Sequence, residues 1–239
     1  MQNIFKRYEK KYLVTREQGT VFQKLLYGCM EQDRSGEYLV QNLYLDTESW
    51  DVMRTSIEKP LYKEKMRLRC YGLPDTDTDF FIELKKKYKD IVYKRRMAIP
   101  ATTFYAGALR EFLGEKSSQI SREFDFYLSS NDVYEKIYIS YLRTAYNGIE
   151  NEGLRVTFDT DVRYRTDGLD FSCPEDGSLI LPPNIMIMEI KTLGGIPLWM
   201  ARALSEYAIY PTAYSKTGMS YKDHIVRPEG CERAVKISA

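Results

Sequence analysis

Histidine is almost missing from this chain: His224 is the only one in 239 residues. No Ser or Cys constellation surrounds it, so His224 reads as a surface or interface side chain and not as a general base. The four cysteines, Cys29, Cys70, Cys173 and Cys231, are far apart and form no C-x-x-C pair. That argues against zinc and against a secreted disulfide scaffold, and it points to a reducing cytoplasm. No G-x-G-x-x-G occurs, and Ser215-Lys216-Thr217-Gly218 lacks the preceding glycine loop of a Walker A sequence. A nucleotide would therefore have to be gripped mainly through its phosphates. Long apolar runs are absent too. Met1 to Lys11 has no signal-peptide core, and the most apolar stretch, Ile180 to Met188, is short and broken by Pro182 and Pro183, so no membrane span is expected. An excess of one charge is also lacking: 35 Lys and Arg against 34 Asp and Glu leave a net +1. A generally basic protein that takes any polyanion is thus excluded, and the cations matter only through where they are placed.

What is present is a core-forming composition, 44% hydrophobic and 13% aromatic, with strand patterns predominating. One domain over residues 1–226 and a polar tail, 227–239, are expected. Strands are expected at Phe5 to Val14, Tyr38 to Leu45, Lys63 to Tyr71, Asp79 to Tyr88, Ile91 to Ile99, Val133 to Ala145, Leu154 to Asp159, Val162 to Arg165 and Ile185 to Thr192. A capping-box pattern, Thr15-x-x-Gln18, opens an amphipathic helix through about Cys29. Further helices are expected after Thr47, over Thr103 to Leu113 and Ser118 to Leu128, and after Pro197. The class is α+β with a large antiparallel sheet.

The informative pattern is the alternation of charge. Lys63, Lys65, Arg67 and Arg69 share one strand face. At a rise of roughly 3.3 Å per residue they lie about 7 Å apart and repel by about 2 kcal/mol per neighbouring pair at an effective dielectric of 20. Other strands repeat the theme. Phe81, Glu83, Lys85 and Lys87 share a face, as do Lys94 and Arg96, and so do Arg155, Thr157 and Asp159, while Arg143 is in register with Ile137, Ile139 and Tyr141. Glu-x-Lys occurs on three strands, as Glu9/Lys11, Glu83/Lys85 and Glu189/Lys191. Such a pair can form a salt bridge or set a metal-binding oxygen beside a phosphate-binding ammonium. If the amphipathic helices cover the apolar faces, the charged faces turn inward, in a closed or nearly closed antiparallel barrel whose wet lumen holds an anion with many oxygens. Arg suits bidentate phosphate binding and Lys supplies a compact positive charge. Asp75, Asp77 and Asp79 alternate as in a calcium loop but lack its glycine and distal glutamate, so they read as a solvated turn.

Several motifs in this order resemble the VTC domain of polyphosphate polymerases, a branch of the CYTH-like triphosphate tunnel metalloenzymes. They are Glu-Lys-Lys-Tyr (9 to 12), Tyr-Leu-Asp-Thr (44 to 47), Arg-Leu-Arg-Cys-Tyr-Gly (67 to 72), Glu-Leu-Lys (83 to 85), Lys-Arg-Arg (94 to 96), Leu-Arg-Thr-Ala-Tyr-Asn (142 to 147), Leu-Arg-Val-Thr-Phe-Asp (154 to 159), Met-Glu-Ile-Lys (188 to 191) and Ser-Lys (215 to 216). The resemblance implies a triphosphate tunnel in which Lys11, Arg67, Arg69, Lys85, Arg143, Arg155 and Lys216 bind phosphates, with Lys94, Arg96 and Arg54 joining them. Lys65 and Lys191, which share those strand faces, are expected to bind phosphates with them. It implies Arg67, Arg69, Lys85 and Glu189 as the catalytic set, Glu189 as the ligand of Mn2+ or Mg2+, and Glu9, Glu83 and Asp159 as further metal candidates. The family has another lysine three residues before Lys216, where this chain has Ala213. The family's phosphate-sensing domain and membrane segments are not recognisable in the sequence.

The implied activity is transfer of the ATP γ-phosphate to a growing polyphosphate chain. Triphosphate hydrolysis by the same residues is the first alternative, and a non-catalytic polyphosphate-binding module is the second. The expected partners are ATP or inorganic triphosphate and polyphosphate, without nucleic acid. No membrane segment of the chain's own is expected, which leaves room for a membrane-protein partner.

Overall fold

The computed structural model describes residues 8–58, 60–89 and 91–222. His224 and the tail from 227 lie outside them. The described residues form β1 (Tyr8–Thr15), α1 (Arg16–Leu26), β2 (Met30–Asp46), α2 (Asp51–Glu58), β3 (Tyr62–Tyr71), β4 (Asp79–Tyr88), β5 (Ile91–Pro100), α3 (Ala101–Tyr105), α4 (Leu109–Glu115), α5 (Gln119–Ser130), β6 (Tyr134–Gly148), β7 (Arg155–Arg165), β8 (Ser178–Leu179), β9 (Ile185–Thr192), α6 (Leu198–Glu206) and α7 (Lys216–Tyr221).

The expected class is observed: an antiparallel sheet of nine strands with helices, in the hydrogen-bonded order β1-β9-β7-β6-β2-β3-β4-β5, with β8 paired to β7. The expectation of a closed or nearly closed barrel is met only in part. Among the described residues no ladder joins β1 to β5, so hydrogen bonds do not close the sheet. The outer edge of β1 has another partner, because the Thr212 N–H donates to the Lys11 carbonyl at 2.7 Å.

The chain divides into two compact units. One comprises the described parts of Met1–Tyr38, Tyr141–Val162 and Leu179–Ala239; the other comprises Leu39–Ser140 and Arg163–Ser178. In the first, α1 and α6 pack on the apolar side of β1, β9 and β7. Val14, Phe22, Val156, Phe158, Met188, Ile190 and Met200 are buried together there. The capping box forms as the sequence predicts: the Gln18 N–H donates to Thr15 Oγ1 at 3.1 Å, and the Thr15 N–H donates to Gln18 Oε1 at 3.0 Å. The helix ends at Leu26, short of Cys29, where Gly28 takes a φ of +84°. In the second unit, α4 and α5 cover the apolar side of β3, β4 and β5 through Leu113, Phe124, Tyr127 and Leu128 against Met66, Leu68, Ile82 and Leu84.

Other elements also differ from expectation. β2 begins at Met30, eight residues before the predicted start at Tyr38, because a polar stretch with few apolar residues is nevertheless paired. The helix predicted over Thr103 to Leu113 is two, α3 and α4, divided where Gly107 has a φ of +67°. The two strands predicted around residue 160 are one, β7, which tolerates a φ of +49° at Asp161. The short helix α7 has no apolar periodicity to announce it; the Gly218 N–H donates to its N-cap, Ser215 Oγ, at 3.2 Å.

Asp75 forms the predicted solvated turn, its carboxylate accepting from the Asp77 N–H and the Thr78 hydroxyl. Among the described residues Cys29, Cys70 and Cys173 are free thiols, and no helix is long and apolar enough to cross a membrane.

Candidate functional site

In the Leu39–Ser140 unit the charged face follows directly from strand register. Lys65 pairs with Lys85 and Lys85 with Lys94; Arg67 pairs with Glu83 and Glu83 with Arg96; Arg69 pairs with Phe81. Period-2 alternation therefore sets one carboxylate among rows of cations. Glu83, 2% exposed, accepts two bonds from the Arg67 guanidinium at 2.6 and 2.8 Å, and it lies 2.6 Å from the Lys94 ammonium and 3.7 Å from Arg96. Burial alone would raise the Glu83 carboxyl, but Arg67, Arg69 and Lys94 outweigh it and hold it down at about 2. Desolvation lowers the Lys94 ammonium to about 8 against the pull of Glu83, helped by its neighbours Arg67 and Arg69.

Two residues of β2 orient the arginines. Arg67 Nη1 donates to the Tyr44 hydroxyl at 2.7 Å, and Arg69 Nε donates to Asn42 Oδ1 at 2.9 Å. Asn42 in turn donates to the Ile139 carbonyl at 3.2 Å. Lys65 Nζ is 3.7 Å from Met53 Sδ on α2, and Lys85 is exposed. Arg54 is an exposed α2 side chain whose ion pair, at 3.8 Å, is with Asp51.

The unit that contains β1 and β9 carries a second cluster. Asp159, wholly buried, is bound bidentately by Arg143 at 2.6 and 2.8 Å and by Lys216 at 2.5 Å. Burial would raise its carboxyl, but Arg143 and Lys216 hold it at about 2. The Arg143 guanidinium is in turn kept charged against its own desolvation, chiefly by Asp159. Glu189, 6% exposed, pairs across strands with Lys11 on one side and Thr157 on the other. Its carboxylate lies 2.8 Å from the Lys191 ammonium. Its pKa is well below the usual range, because Lys191 and then Lys11 overcome the effect of burial. Glu9 lies 3.5 Å from Lys11 and opposite Lys191. Arg155 donates to Asn147 Oδ1 and Asp33 Oδ2, each at 2.8 Å.

The sequence therefore brings together Arg67, Arg69, Glu83, Lys94 and Arg96 in one unit, and Lys11, Glu9, Arg143, Arg155, Asp159, Glu189, Lys191 and Lys216 in the other. It missed Asp33 and Asn42. Asn42 had a readable signal, since it alternates with Tyr44 on β2. Asp33 had none, because its stretch lacks strand-like hydrophobicity.

Among the described residues no three His, Cys, Asp or Glu side chains cluster as a metal cage. A small hard cation does not need one: Mg2+-type ions keep several waters and take one or two carboxylates plus substrate phosphates. Glu189 meets that requirement. It is a buried ionised carboxylate, and directly across the ladder the buried Thr157 hydroxyl has no hydrogen-bond partner.

An α+β domain whose sheet faces set buried carboxylates among basic side chains is the class that fold and site define. The VTC domain model matches residues 6–223, and the chain belongs to that family. No curated protein matches it. Among solved structures, a provisionally assigned adenylate cyclase from Vibrio parahaemolyticus is 12% identical, with 92% of this chain and 99% of that chain covered and a TM-score of 0.49. The PH1819 protein from Pyrococcus horikoshii OT3 is 14% identical, with 90% and 99% covered and a TM-score of 0.46.

Proposed function

We propose that the protein is a cytoplasmic, metal-dependent phosphotransferase that moves the γ-phosphate of ATP onto a growing polyphosphate chain. The observation that carries this reading is the row pattern of Arg67, Arg69, Lys85, Lys94 and Arg96 around Glu83, in a chain that belongs to the VTC family over residues 6–223. Phosphoryl transfer asks mainly for positioning and charge stabilisation. Arg67 and Arg69, fixed by Tyr44 and Asn42, present planar donors whose geometry suits phosphate oxygens. Lys11, Arg143, Arg155, Lys191 and Lys216 offer the same chemistry in their own unit. Glu83 and Asp159 serve as resident counter-ions that keep these cations charged and aligned before substrate arrives.

Glu189 would hold a Mn2+ or Mg2+ ion, which when bound supplies Lewis-acid neutralisation of phosphate oxygens. Lys191 and Lys11 keep Glu189 ionised and therefore ready as a ligand. Hydrolysis of triphosphate is the second reading, favoured by the fact that the same cations serve whether the acceptor is phosphate or water.

The test is to incubate the purified chain with ATP and Mn2+ and to measure long-chain polyphosphate, ADP and free phosphate together. Polyphosphate with matching ADP supports the polymerase. Free phosphate without polymer moves the assignment to a triphosphatase, and neither product overturns both in favour of a binding module.

A further inference from the structure

We infer that the charged face of β3, β4 and β5 ends in a nucleobase-stacking ledge made by Tyr71, Phe81 and Arg96, so that its ligand is a nucleoside triphosphate gripped by base and phosphates together. The inference rests on the phosphate-binding role proposed for that face and adds a selectivity that bare triphosphate cannot use.

The ledge is built by the same register as the cations. Phe81 is paired with Arg69 on one side and Ala98 on the other, and Arg96 is paired with Glu83 one row further along. The Arg96 guanidinium carbon lies 3.6 Å from the Phe81 ring centroid and 5.6 Å from that of Tyr71. The two rings meet edge to face with centroids 5.9 Å apart. The Arg69 guanidinium is 5.8 Å from the Tyr71 ring. Tyr71 is 37% exposed, the Arg96 side chain is 37% exposed, and Ala98 is an exposed small residue that adds no bulk beside Phe81. A flat guanidinium already stacked on one ring is a ready surface for another flat ring, since bases stack on Arg planes and aromatic faces alike.

Position supports the assignment. The rows beyond the ledge are Arg67–Glu83, whose third backbone partner Arg96 leans its side chain back onto Phe81, and Lys65–Lys85–Lys94, about 7 and 13 Å further along the strands. That spacing is comparable to the reach from a base to the terminal phosphate of its nucleotide. Single-strand nucleic-acid binders place stacking platforms in series along a basic groove. Here one aromatic ledge is followed by Lys and Arg around one carboxylate, with Tyr44 bound through its hydroxyl to Arg67, the order of groups in a mononucleotide. Polyphosphate has no apolar part that would use Tyr71 or Phe81.

The experiment is calorimetric titration of the full chain and of Phe81→Leu and Tyr71→Leu, at fixed Mg2+, with β,γ-methylene ATP and, separately, with inorganic tripolyphosphate. Each substitution is expected to weaken the nucleotide by about tenfold, the lower part of the range for one stacked base, and tripolyphosphate by less than about twofold. Equal weakening of both ligands, or of neither, overturns the ledge. A wild-type chain that binds tripolyphosphate as tightly as the nucleotide overturns the ledge alone. One that binds neither overturns the phosphate assignment beneath it. Melting curves of both variants identify any loss that comes from unfolding.

Discussion

Replacing Asp159 with Asn should make the protein less stable and, at the same time, better at binding tripolyphosphate. Asn keeps the shape of the side chain but removes the charge that Arg143 and Lys216 share. Those two are only 12% and 13% exposed, so the variant leaves two poorly hydrated cations without the carboxylate that contacts them, and Glu189 as their remaining acidic neighbour. Two independent routes give the size of the effect. Holding the Asp159 carboxyl at about 2 instead of 3.8 is worth about 2–3 kcal/mol, since one unit is about 1.4 kcal/mol. Removing one partner of a buried pair typically costs about 3–5 kcal/mol. A loss of about 3 kcal/mol should lower Tm by about 6–12 °C for a chain of this size.

The pH dependence has a definite sign. Because the folded-state value is depressed, this stabilisation is present above pH 4 and is lost as pH falls toward 2. Asp159→Asn should lack that segment of the acid transition. In the wild type an incoming phosphate must displace the carboxylate from both cations; in the variant it need not. Added tripolyphosphate should therefore raise the Tm of Asp159→Asn by more than it raises that of the wild type. Differential scanning fluorimetry with and without tripolyphosphate reads both arms. An unchanged Tm in the free variant, or a smaller response to tripolyphosphate, would refute the counter-ion argument.

Other expectations are separable from this one. Glu189→Gln should abolish Mn2+-dependent turnover and, because the buried carboxylate gives up its ion pair with Lys191, lower Tm as well; a steady-state assay across a Mn2+ series, run well below that Tm, that retained activity would remove Glu189 from the metal role. Tripolyphosphate binding should weaken as pH rises through about 8, where Lys94 loses its proton. In Glu83→Gln that decline should begin at lower pH, because the charge that holds the Lys94 proton is gone; titration calorimetry at several pH values checks both. Arg165→Met should destabilise by about 3 kcal/mol, at about 1 kcal/mol for each lost hydrogen bond, since its guanidinium donates to the carbonyls of Gly168, Asp170 and Cys173, each at 2.7 Å. Faster protease cleavage within residues 166–177, with tripolyphosphate affinity retained, is the expected signature.

The faces of β3, β4 and β5 were legible because charge and apolarity alternate there residue by residue, so period 2 identifies both the fold and the side that carries chemistry. Pairing across the chain was not. Lys216 reaches Asp159 over 57 residues, and Arg155 reaches Asp33 over 122. No local pattern encodes which carboxylate meets which cation. The resemblance named Glu83, Asp159 and Glu189 as metal candidates, and in the structure basic side chains engage all three: Arg67 and Lys94, Arg143 and Lys216, and Lys191. The early start of β2 was hidden by a sequence, Glu31 to Gly36, that has strand geometry without strand composition. The division between α3 and α4 rested on a single glycine in an otherwise helical pattern.

The two compact units are interleaved in sequence: the chain passes from one to the other after Tyr38, Ser140, Val162 and Ser178. The first three of these points fall inside β2, β6 and β7, and the fourth inside β8, so no crossing lies in a linker. Neither unit can be cut out as a continuous piece of polypeptide, and the gene for one half cannot be written without also writing part of the other. Evolution by shuffling such halves is correspondingly closed to this architecture. Insertions that respect it belong in the turns, between strands that stay within one unit.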